Sequence, residues 1–87
     1  MHEQSLMADM MRKIFSIVEA ENATAVSSVT VRLGALAHIS PDHFREHFEQ
    51  AAQGTCAEGA RVDVIELEDR QDPQAQDIVL DSIELVD

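Results

Sequence analysis

Eighty-seven residues suffice for one domain with a modest core, and domains of this size often lean on a metal, disulfides or oligomerisation. Six basic against seventeen acidic residues give a formal net charge of −11. That argues against phosphate-backbone binding, so no nucleic-acid partner is expected, and against anionic membrane surfaces, while favouring basic partners and metal cations. No tyrosine or tryptophan is present and only three phenylalanines, so the core must be built mostly from Val, Ile, Leu, Met and Ala. The single cysteine, Cys56, excludes an internal disulfide and a thiolate zinc cage. No signal-peptide pattern and no apolar run of about 18 residues is seen, so the expected address is cytoplasmic.

The chain starts Met1-His2-Glu3. A free α-amine, the following peptide nitrogens and a second-position imidazole can close on one ion, and a planar nitrogen set suits a d⁸ ion such as Ni²⁺. The competing reading is an exposed terminal histidine on a frayed start. Leu6, Met7, Met10, Met11, Ile14, Phe15 and Val18 then recur at helical spacing, predicting a helix over about residues 4–21. Asp9 suits its early turns, and the segment Asn22–Ala25 breaks it. Val29, Val31 and Leu33 alternate with Ser28, Thr30 and Arg32, a half-buried strand ended or bent at Gly34. Ser40-Pro41-Asp42 is a helix start, with Ser as cap and Pro at the first helical position. Phe44, Phe48, Ala51 and Ala52 form its buried stripe and Gly54 its left-handed stop, placing this helix at about residues 41–53.

Residues 60–68 and 77–86 read as two further strands around a polar turn at 69–76. As an antiparallel hairpin they pair Val62 with Ile83, Ile65 with Leu80 and Leu67 with Ile78. In that register the apolar face switches halfway along both strands. Either a bulge turns the outer half back to the core, or the outer half projects and is covered by a second copy, forming a homodimer. The matching position of the switch on both strands favours the second. The element order α-β-α-β-β predicts an α+β two-layer fold, two helices on a small three-stranded sheet, with residues 1–87 forming one domain.

These residues carry a resemblance. Met1-His2-Glu3 with Ser5, Val31-Arg32-Leu33-Gly34-Ala35-Leu36, Pro41-x-x-Phe44, Phe48-Glu49, Gly54-Thr55, Glu58-Gly59-Ala60 and Ile83-Glu84-Leu85 together resemble the HypA/HybF hydrogenase nickel-incorporation proteins. The resemblance runs continuously over residues 1–68 and resumes at about residue 77. It implies a Ni²⁺ site at the α-amine of Met1, the amide and imidazole of His2, and the amide or carboxylate of Glu3. It implies an accessory protein that catalyses no reaction. The implied partners are the nickel-handling GTPase and the hydrogenase large-subunit precursor. Family members normally carry two Cys-x-x-Cys pairs between the last two strands. Here the turn at 69–76 stands in that place and no zinc is expected.

Other candidates carry less. His43 and His47 are spaced i, i+4 on one helix face and can share a metal, although two flanking, solvated histidines is the blander reading. His38 follows the first strand, and Asp42 is the acid nearest to an extra ligand position that the resemblance implies. Cys56 lacks a neighbouring base in sequence and reads as an ordinary thiol. The stripe of Met7, Met10 and Met11 reads as core. The alternative to nickel delivery is an interaction or regulatory module that keeps the fold but has lost metal handling.

Overall fold

The computed structural model describes residues 3–87, with side chains from Ser5 onward. Helix α1 spans Glu3–Ala20, strand β1 Ala25–Leu33, helix α2 Pro41–Ala52, strand β2 Arg61–Glu66 and strand β3 Ile78–Val86. The predicted α+β class and element order are those observed. Met7, Met10, Met11, Ile14 and Val18 bury one stripe of α1, and Phe44, Phe48 and Ala52 bury one stripe of α2. Both helices pack on one face of the sheet, α1 towards β3 and α2 towards β2. That face presents Val29 and Val31, fully buried, with Leu33 and Val62.

The predicted hairpin is not formed. The sheet order is β2-β1-β3, with β1 in the centre. β1 runs parallel to β2, Val29 opposite Val62 and Val31 opposite Val64, and antiparallel to β3, Val29 opposite Ile83 and Leu33 opposite Ile78. Thus β1-α2-β2 is a parallel crossover unit, and the connection from β2 to β3 passes over the end of β1. The physical reason lies in burial. β1 carries most of the sheet's buried side chains, Val26, Ser28, Val29, Val31 and Leu33, and its place between the others covers both of its edges.

The expected switch of apolar face also resolves differently. Thr30 pairs with Ser82 and Val31 with Leu80, leaving Asp81 as an extra residue in β3. This bulge rotates the strand, so that Ile78, Leu80, Ile83 and Leu85 all pack against the same core. Arg32 Nε meets the bulged Asp81 carboxylate at 3.1 Å. On β2 the alternation is simple: Val62 is buried, and Ile65 faces the open side of the sheet, 44% exposed. The projecting hairpin tip is therefore absent, and with it the reason given for pairing two copies through it.

A second bulge, at Ser27 in β1, places Ser28 on the open face. Ser28 is nonetheless buried, and its hydroxyl donates to the Glu84 carboxylate at 2.6 Å.

Candidate metal centre

Three segments converge where β1 ends. Gly34 leaves the strand with its N–H donating to the Asp77 carbonyl at 2.9 Å, and Leu36 N–H donates to the Ala75 carbonyl at 2.7 Å. Ala75 is buried there, which anchors an otherwise polar connection to the sheet. The approach is close: a Cβ on Gly34 would lie 2.2 Å from the Ala75 carbonyl oxygen. From Gly34 the chain runs through His38, which adopts a left-handed φ of 58° and is exposed, to the start of α2. Ser40 Oγ accepts from His43 N–H at 3.1 Å, the predicted cap.

The first turns of α1 arrive at the same pole. Leu6, Met7 and Met10 share an apolar pocket with Ile39, Phe44, His47 and Ile78. Leu6 and Met10 also face Ile78 and Leu80 across a neighbouring groove. The start of α1, the loop carrying His38, the first half of α2 and the β2–β3 connection thus occupy one end of the molecule. Ala20, Gln53 and Cys56 lie at the other, where the Cys56 carbonyl accepts from Val26 N–H at 2.9 Å.

The sequence-predicted site residues distribute as follows. Met1 and His2 lie outside the described residues, and Glu3 opens α1 without a described side chain. Asp42 stands in the first turn of α2, its side chain 98% exposed and ion-paired with Arg45 at 3.2 Å. Arg45 Nε also donates to the Val62 carbonyl at 3.0 Å, tying α2 to the edge strand. His43 and His47 come together, with ring centroids 4.4 Å apart and planes at 88°. Among the described residues no group of three or more His, Cys, Asp and Glu is placed to hold a metal ion. What sequence reasoning missed is the half-buried seat of His47 against α1, since nothing in the spacing of α2 tells which helix meets it. The chain's one cysteine does not fit a four-thiolate zinc site.

A helix pair on a mixed three-stranded sheet, with the first turns of α1 at the pole of the crossover loop, defines a small two-layer α+β fold. Residues 1–72 match the family described as hydrogenase/urease nickel incorporation, metallochaperone, HypA. The chain is 38% identical over 64 residues to hydrogenase maturation factor HypA of Archaeoglobus fulgidus, covering 74% of this chain and 58% of that protein. It is 37% identical over 67 residues to the corresponding factor of Chlorobium limicola, covering 77% and 58%. The chain matches somewhat under three-fifths of the length of these relatives. The solution structure of the Ni metallochaperone HypA from Helicobacter pylori superposes with a TM-score of 0.80 at 16% identity, covering 99% of this chain and 98% of that one. At that identity the likeness concerns the fold. The chain belongs to the HypA family of nickel-incorporation metallochaperones.

Proposed function

We propose that this chain carries Ni²⁺ for the maturation of [NiFe]-hydrogenase, taking the ion as cargo at Met1-His2-Glu3. The observation that carries the reading is that the family match begins at residue 1 and so includes this tripeptide. The chemistry supports it. The α-amine and the His2 imidazole supply two nitrogens, and intervening peptide nitrogens complete a planar set suited to Ni²⁺. An α-amine titrates at about 7.7–8.0 and an imidazole at about 6.5, and both must lose a proton to bind. Affinity therefore rises with pH across the neutral range. Ligands drawn from a chain start rather than from a packed core leave the ion accessible, which suits handing it on.

The recipients would be the nickel-handling GTPase and the hydrogenase large-subunit precursor, in the cytoplasm. No described helix is long and apolar enough to cross a membrane. The chain would catalyse no reaction of its own. The turn at 69–76 would stand in place of a zinc subdomain, so residues 1–87 would act as a single nickel-handling domain.

The test is calorimetry with Ni²⁺ on the untagged wild type and on His2→Ala, at pH 6.5 and 8. A strong binding step in the wild type, tighter at the higher pH and missing from the variant, is expected. Equal uptake by both proteins removes His2 from the site. No uptake by either leaves the alternative, a docking module that keeps the fold without metal handling.

A further inference from the structure

A second nitrogen-rich feature lies outside the N-terminal tripeptide. His43 and His47 stand on one stripe of α2, one turn apart, with ring centroids 4.4 Å apart. An ion at about 2.0–2.1 Å from one nitrogen of each ring lies roughly 3.2 Å from each ring centre. A right angle at the ion then separates the centres by roughly 4.5 Å. The rings already stand at this spacing, so the helix backbone need not move. Phe44 and Phe48, one step round, are buried and hold that backbone in place.

The two rings differ in setting. His43 is exposed and reaches solvent, whereas His47 is half-buried. His47 lines the apolar pocket with Leu6, Met7 and Met10 of α1. Leu6 is three residues past Glu3, where α1 begins, so it stands about 4.5 Å along the helix axis from that start. Glu46, three residues from His43 on the exposed side, adds negative potential for a cation.

We propose that His43 and His47 form a second, two-imidazole site for a divalent transition ion beside the start of α1, with water completing the coordination. Its function as a station for Ni²⁺ moving to or from the chain start rests on the carrier reading given above. The site itself does not depend on that reading. Imidazole donors follow the general order, so this site holds Cu²⁺ more tightly than Ni²⁺.

The experiment separates the two sites by blocking the α-amine. Ni²⁺ and Cu²⁺ are titrated calorimetrically into the untagged chain, into the α-acetylated chain, and into α-acetylated His43→Gln. The acetylated chain should retain one ion, Cu²⁺ tighter than Ni²⁺, and His43→Gln should remove that step. A measurement on the unmutated residues accompanies it: Ni²⁺ added to the acetylated chain should broaden the ring proton signals of both His43 and His47. An acetylated chain that takes up neither ion overturns the proposal, as does His43→Gln binding unchanged or ring signals unaffected by Ni²⁺. Failure of the carrier reading looks different, since acetylation then leaves the number of bound ions unaltered.

Discussion

Replacing Gly34 by alanine should destabilise the fold sharply. Glycine to alanine outside a positive-φ position ordinarily stabilises by about 0.4–1 kcal/mol through the unfolded chain. Gly34 is not among the positive-φ glycines, so backbone conformation raises no objection. Space does. The new methyl carbon would lie 2.2 Å from the Ala75 carbonyl oxygen, 2.5 Å from its carbon and 2.7 Å from the Gln74 carbonyl oxygen. These are backbone atoms and cannot be relieved by a rotamer change. The connection must lift, at an overpacking cost of about 1–3 kcal/mol. Lifting it weakens the bonds Leu36 N–H to Ala75 at 2.7 Å and Gly34 N–H to Asp77 at 2.9 Å. Each contributes about 0.5–1.5 kcal/mol net. After the entropic gain, a loss of about 1–5 kcal/mol remains, out of a total of about 5–10 kcal/mol for a domain of this size. At about 4–8 °C per kcal/mol, the melting temperature should fall by at least about 4 °C. Urea denaturation followed by far-ultraviolet circular dichroism measures it. A midpoint equal to or above that of the wild type would refute the close-approach argument.

Ser40→Ala removes the oxygen that accepts from His43 N–H and should cost about 0.5–2 kcal/mol in the same denaturation assay, while Ser40→Asp should retain most of the stability. Arg45→Met keeps the aliphatic stem but deletes the donor to the Val62 carbonyl. It should cost about 1–2 kcal/mol and speed amide exchange in β2, the edge strand it ties down, more than in β1.

Much of the architecture was legible because each helix carries its own period. Ser40-Pro41 and Gly54 bracket α2 by local chemistry, and Gly54 does take a φ of 76°. The apolar stripe of α1 stated its buried face without reference to any partner. Strand partnership was not legible. Two adjacent strands joined by a polar turn look like a hairpin, and apolar content does not reveal that β1 separates them, since β3 is as apolar as β1. The face switch in β3 was visible as an odd spacing between Leu80 and Ile83, yet spacing alone could not choose between a bulge at Asp81 and a second copy. The early start of β1 at Ala25 was hidden for a related reason, because the bulge at Ser27 breaks the alternation that marks a strand. Of the candidate centre, the i, i+4 histidines were readable as a pair. Their nearness to α1 depends on helix packing, which no local pattern encodes.

The crossing of the β2–β3 connection over the end of β1 has a practical corollary for protein engineering. Ala75 is the connection's buried anchor, whereas Glu68, Asp69, Arg70, Gln71, Pro73 and Gln74 are exposed. Polypeptide spliced in before that anchor would emerge beside the loop carrying His38 and the first turns of α1, leaving the ladder of β1 undisturbed. The stretch is a permissive port, and a reporter peptide grafted there would sit within reach of whatever docks at that pole.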